Sequence, residues 1–248
     1  MADFNNYQNR MARSGVQTGA MIDEGLRAYM LKVYNLMAAG LAITGVAAFL
    51  TWQMAVADGQ LTAFGQLLYT SPLKWVVMLA PLAMVFFLSF RINTMSVAAA
   101  QTTFWVYAAL MGLSLSSIFL VFTGQSIVQT FFVTAASFGA LSLYGYTTKK
   151  DLSGMGSFLI MGLFGLIIAS LVNIFLQSSA MGFAISAIGV LIFAGLTAYD
   201  TQKIKEMYYD ADDAAVMGRK AIMGALTLYL DFVNLFTFLL QFLGNREE

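Results

Sequence analysis

Histidine and cysteine are both absent from this 248-residue chain, proline occurs twice, and only 10% of the residues are charged. Without histidine there is no Ser-His-Asp or Cys-His catalysis, no His-Glu-x-x-His metalloprotease motif and no imidazole pH sensor. Without cysteine there are no disulfides, thiolate nucleophiles, zinc clusters or iron–sulfur sites. Titration near neutral pH is therefore left to carboxyl groups or lysines in unusual surroundings, or to the N-terminal amine.

What is present in excess is apolar surface. Fifty-nine per cent of the residues are hydrophobic, whereas a soluble domain has roughly half its residues apolar and about a quarter charged. A fold of this size cannot hide that excess, so the bilayer must be the solvent for much of it. Thirteen basic residues balance thirteen acidic ones. A neutral chain presents no global field for nucleic acid, and that partner class is set aside.

A spanning helix needs ~20 mostly apolar residues. Seven stretches qualify: Tyr34 to Met54, Leu73 to Phe90, Val97 to Phe122, Ile127 to Tyr146, Phe158 to Leu176, Met181 to Tyr199, and Ala221 to Leu243. The expected class is an all-α polytopic membrane protein with seven transmembrane helices. Residues 1–28 read as a polar cytoplasmic tail, disordered or loosely helical, and 29–246 as the membrane domain. The tail has no apolar run after a short basic start and so is not a signal peptide. Pro81 is expected to kink the second span.

Basic residues set the orientation. With the N-terminus inside, the cytoplasmic segments hold eleven: Arg10, Arg13, Arg27, Lys32, Arg91, Lys149, Lys150, Lys203, Lys205, Arg219 and Lys220. The outer segments hold two, Lys74 and Arg246. Trp52 and Trp75 then fall at the outer interface, and Tyr208 and Tyr209 at the inner one. The short connections Thr123 to Ser126 and Gln177 to Ala180 predict that spans three and four, and spans five and six, are antiparallel neighbours. The stretch Thr201 to Lys220, with Asp210, Asp212 and Asp213, reads as a charged cytoplasmic linker. Gly112, Gly139, Gly145, Gly162, Gly165, Gly189 and Gly195 read as sites of close helix approach.

Ionised side chains within a span cost roughly 2.5–3.5 kcal/mol each on insertion scales. Asp231 lies in the middle of span seven, while Asp200 and Arg91 lie near the inner ends of spans six and two. Gly224, Thr227, Asp231 and Asn234 recur at steps of three and four and share one helix face. Such a stripe turns towards other helices or water. Counting from Ala180 and Ala221 places Asp231 ~15 Å deeper than Asp200, which argues against contact. If span six instead continues to Tyr208 and the apolar part of span seven starts at Ala225, the gap falls to roughly 5 Å. The sequence allows a pair without requiring it. Two carboxylates meeting in a poorly hydrated site cannot both ionise cheaply and titrate as one coupled unit. As hard oxygen ligands they also suit calcium, so Asp200 and Asp231 are candidate calcium contacts as well as candidate gate residues.

Thr197-Ala-Tyr-Asp200-Thr-Gln-Lys-Ile-Lys205 and Leu228-Tyr-Leu-Asp231-Phe-Val-Asn234 resemble the two aspartate motifs of the Bax inhibitor-1 (transmembrane Bax-inhibitor-motif) family. Ser126-Ile-Val-Gln-Thr-Phe and Gly145-Tyr-Thr-Thr-Lys149-Lys-Asp151-Leu-Ser-Gly154 are similar to its bacterial members. The resemblance runs from about residue 25 to near the end. It implies two three-helix layers around a central C-terminal helix, and a pH-sensitive calcium leak channel of the bacterial inner membrane. It implies that Asp200 and Asp231 form the sensor pair and that Arg91 latches onto it in the closed state. Thr197, Thr227 and Asn234 would be its polar surroundings. No cofactor is expected, calcium being the transported ion. Some bacterial members modulate a membrane-bound AAA protease, which implies a second role as a regulatory binding protein.

An intramembrane aspartyl protease is the enzymatic alternative. Tyr199-Asp200 fits that class, but Leu228-Tyr-Leu-Asp231 lacks its Gly-x-Gly-Asp motif, and no Pro-Ala-Leu follows. A non-enzyme is expected. The basic asymmetry predicts that a topology reporter fused after Glu248 is active only outside the cytoplasm. Activity inside would mean an even number of crossings.

Overall fold

The computed structural model describes the backbone of residues 2–245 and the side chains of 24–245. Its helices are α1 (Ala2–Ala55), α2 (Ala63–Tyr69), α3 (Leu73–Arg91), α4 (Val97–Leu115), α5 (Gly124–Thr147), α6 (Ser153–Leu176), α7 (Ser179–Glu206) and α8 (Ala214–Leu243). All except α2 contain a stretch long and apolar enough to cross a membrane, which gives the seven expected spans. The helices start where the sequence offers side-chain caps. Ser96, Thr123, Ser178 and Asp213 accept the backbone N–H three residues on, at 3.2, 3.3, 3.3 and 2.7 Å, which satisfies a donor that the helix leaves unpaired. The helix α1 extends through most of the expected tail, whose side chains up to residue 23 lie outside the described residues. Arg246 lies outside them too. Through Pro81, α3 continues as one helix.

The helices form two layers. One holds α1, α3 and α4, the other α5, α6 and α7, and α8 lies between them against α1, α4, α5 and α7. Half of the thirty residues of α8 are buried, against only Gly156 and Leu166 of α6. The central position of α8 is thus a matter of burial, and the exposed apolar faces of α3 and α6 are the surface left for lipid. At one end, Val56–Ala57 and Gln60–Leu61 pair as a small antiparallel hairpin. Its turn is Asp58-Gly59, both left-handed at φ 52° and 74°, as a two-residue hairpin turn requires.

Spans three and four do not pack along each other, contrary to the reading of their short connection. The helix α4 lies on α1 and α3, and α5 on α7 and α8. The chain beyond α8 comes between them at the turn. Thr123 N–H donates to the Asn245 carbonyl at 3.1 Å, and Asn245 N–H to Ser126 Oγ at 2.9 Å. The connection therefore bridges the two layers. Spans five and six do pair, as α6 with α7.

The linker shrinks as well. Helix α7 runs to Glu206 and α8 begins at Ala214, so only 207–213 remain as loop. Asp213 caps α8 and Asp212 forms an ion pair with Lys220, so two of its three acidic residues serve structural roles.

Two of the expected glycines bring spanning helices into backbone contact. A Cβ added to Gly145 would lie 2.1 Å from the Ala198 carbonyl oxygen, and one added to Gly112 would lie 2.5 Å from that of Thr44. These contacts bind α5 to α7 and α4 to α1, where packing rather than hydrophobic transfer holds membrane helices together. Gly139 and Gly165 are not such sites, because an added Cβ at either meets nothing within 4 Å. Gly145→Ala is therefore expected to lower stability by about 1–3 kcal/mol through forced backbone movement, read as a drop in Tm in detergent. Gly139→Ala on the same helix should leave Tm nearly unchanged.

Candidate functional site

The depth of the two aspartates is set by the α7–α8 register. Met207 O accepts from Lys220 Nζ, Ile204 packs on Gly224, Gly189 on Phe238, and Ser186 Oγ donates to Gln241. These antiparallel steps place Asp200 opposite Leu228, so Asp231 lies about one turn, ~5 Å, further along α8. This is the longer-helix alternative, and the ~15 Å separation from the simple count is overturned. That count erred because α8 starts seven residues before Ala221 and α7 continues past Asp200.

The register brings the two carboxyls to the wall of one cavity, where their charges repel. Asp231 is only 4% exposed, and its Oδ2 has no hydrogen-bond partner among the described residues. An unpartnered buried polar atom costs about 1–3 kcal/mol. A single proton shared between the carboxyls would satisfy it and remove their repulsion, which is the chemistry such a pair can switch.

Both carboxylates line a cavity of about 580 Å³ between α3, α6, α7 and α8. Thr227, Asn234 and Ser170 supply its other polar groups, and Leu82, Leu163 and Leu166 are among its apolar walls. Thr227 Oγ1 donates to Met223 O at 3.1 Å, and Asn234 Nδ2 to Leu230 O at 2.8 Å. Thus three of the four residues in the expected stripe face one space. The fourth, Gly224, packs against Ile204 and Val33 instead. Thr197 is fully buried, donates to Phe193 O at 2.7 Å and does not line the cavity.

Arg91 ends α3, is exposed, and makes no ion pair among the described residues. A nearer cation is Lys203, one turn after Asp200 on the same helix, with its Nζ 5.7 Å from the Tyr199 ring centroid. Its three-residue spacing from Asp200 is visible in the sequence. Among the described residues no three carboxylates gather as a metal cage.

A second polar element escaped the sequence reading. The hydroxyls of Tyr229 and Thr44 share a hydrogen bond of 2.6 Å, and Thr44 Oγ1 also reaches the Ala108 carbonyl at 2.8 Å. This ties α8 to α1 and α4 within the core. Tyr229 stands two residues before Asp231 in the second aspartate motif, and nothing in its spacing indicates a threonine 185 positions away.

The geometry defines a class: a seven-helix membrane protein built around a buried helix that carries an ionisable group in mid-span, with a second carboxyl lining the same cavity. The sequence comparisons give that class a family. The model for the inhibitor of apoptosis-promoting Bax1 family matches residues 26–248, and the chain belongs to this Bax inhibitor-1 family. Its relatives include protein RP147 of Rickettsia prowazekii, 51% identical over 91% of this chain and 93% of that protein. The inner membrane protein YbhL of Escherichia coli strain K12 is 49% identical over 90% of this chain and 94% of its own length. A Caulobacter vibrioides protein is 46% identical over the whole of both chains.

The absence of native cysteine makes the cavity directly testable. Cysteines introduced at Thr227 and Asn234 should react with a small water-soluble thiol reagent, whereas one at the buried Leu228 should not. Equal protection at all three positions would mean that water does not enter the cavity.

Proposed function

We propose that the chain is a pH-sensitive leak pathway for calcium in the bacterial inner membrane, gated by the Asp200–Asp231 pair. The observation that carries this reading is the pair itself: two facing carboxyls beside a membrane-depth cavity, one with an unpartnered oxygen, in a chain without histidine. The inner membrane is the location named for the Escherichia coli relative. The N-in, C-out orientation rests on the basic residues.

Gating follows from the charges facing the pair. Lys203 stands one turn after Asp200 on the same helix, while the cavity residues contributed by α3 and α6 bring no ionisable group. Deprotonation increases the repulsion between the carboxyls and the negative charge that attracts calcium. It also strengthens any attraction for a cation that closes the path. In this proposal that cation is Arg91, which stands at the same end of the bundle and moves onto the pair in the closed state. Attraction of the ion and attraction of the latch oppose each other, so flux depends on pH with a sign set by which is stronger.

The test is calcium flux in liposomes holding the purified protein, read against pH. Asp200→Asn and Asp231→Asn keep side-chain size and remove titration. Each is expected to flatten the pH profile, and the double variant should add little, since coupled sites respond as a unit. Arg91→Ala should raise basal leak. Wild-type profiles in both Asn variants would reduce the pair to a structural contact. Modulation of a membrane-bound AAA protease is a separable role. Deleting residues 1–25 should then abolish protease binding while flux persists.

A further inference from the structure

The two layers leave a second opening, on the side of α8 away from the aspartates. Helices α1 and α5 face each other there without packing along their lengths. A hydrogen bond of 2.6 Å between the Tyr34 hydroxyl and Ser142 Oγ joins them across the gap. A cavity of about 530 Å³ runs past this clasp, reaching from Arg27 to Tyr34 on α1 and from Phe138 to Tyr146 on α5. Further along the same seam is an apolar cavity of about 330 Å³, walled by Leu41, Phe131 and Phe236. A glycine borders each of them. A Cβ added to Gly139 in the first or Gly45 in the second meets no atom within 4 Å.

The mouth of the first cavity is basic. Exposed Arg27 lines it, and Lys205 Nζ donates to the carbonyl of Tyr146, another lining residue, at 2.8 Å. Glu24 lies one turn further out on α1. From Arg27 to Tyr34 the cavity runs about 10 Å along the helix, with Met30, Leu31, Phe138 and Leu143 as its walls. A cation at the rim and an apolar slot running into the bilayer match one chemistry: a lipid with an anionic headgroup and an acyl chain. Basic pockets between spans at the headgroup level take such lipids.

We propose that the α1–α5 seam is a binding site for an anionic phospholipid, its phosphate on Arg27 and one acyl chain in the slot beside Gly139. The clasp of Tyr34 and Ser142 stands partway along the slot, one turn of α5 from Gly139. Ser142 Oγ is also 2.9 Å from Thr201 Oγ1, so the lipid site is hydrogen-bonded to α7 at the residue that follows Asp200 in the chain.

The full-length protein, purified in detergent, is titrated with phosphatidylglycerol or phosphatidylcholine of identical chains, and bound lipid is counted by native mass spectrometry. The wild type should prefer phosphatidylglycerol. Arg27→Gln should reduce that preference about fivefold, the worth of roughly one basic residue at a lipid headgroup, and Arg27→Lys should keep it. Gly139→Leu fills the slot through open space and should reduce retention of both lipids, with Tm reporting that the fold survives. An unchanged preference in Arg27→Gln, or unchanged retention in a folded Gly139→Leu variant, overturns the proposal. So does displacement of the lipid by inorganic phosphate alone, which would mark a free-anion site.

Discussion

A carboxyl at bilayer depth needs protein around it, and the position of Asp231 on α8 constrains the rest of this fold. An ionised group facing acyl chains would be too costly, so the helix that bears it has to be enclosed by others. The structure meets the requirement by wrapping α8 with α1, α4, α5 and α7 and leaving α3 and α6 to face lipid. Tyr229, its hydroxyl tied to Thr44, anchors the same stretch of α8 to the opposite layer. The reactive group thus sits on the most firmly held element of the molecule.

Wrapping one helix with two layers leaves seams where the layers do not meet. The α3–α6 side contains the aspartates, and the α1–α5 side is mostly apolar and bridged by the Tyr34–Ser142 hydrogen bond. Both end on α7, through Asp200 on one side and Thr201 on the other. Adjacent residues of a helix face in different directions, so one element can sense both seams. Close glycine contacts at Gly145 and Gly112 keep α7 and α1 in register while the seams stay open.

Much of this was legible in the amino-acid sequence. Seven apolar stretches, a basic asymmetry, and a polar stripe at helical spacing need only composition and periodicity, because the bilayer imposes length and burial on every segment alike. The cap residues Ser96, Thr123, Ser178 and Asp213, and the Asp58-Gly59 turn, act within a few residues and mark helix and hairpin boundaries by local chemistry. The aspartate motifs pointed to the family, which the comparisons show.

Other features depended on contacts distant in sequence. The register that brings Asp200 to Asp231 follows from where α7 and α8 end, and those ends lie in charged segments that hydropathy reads as loop. Tertiary contacts stabilise them as helix: Lys205 on the Tyr146 carbonyl and Lys220 on that of Met207. The insertion of Asn245 between Thr123 and Ser126 separated two helices that a short connection had suggested were partners. Gly139 and Gly145 look alike in sequence, yet one faces open space and the other a backbone carbonyl. The sequence alone determined which segments enter the membrane and which side chains are too polar to face lipid, since each segment meets the same solvent. Only the tertiary structure decided which polar groups meet, because that depends on helix ends, rotations and neighbours that no single segment encodes.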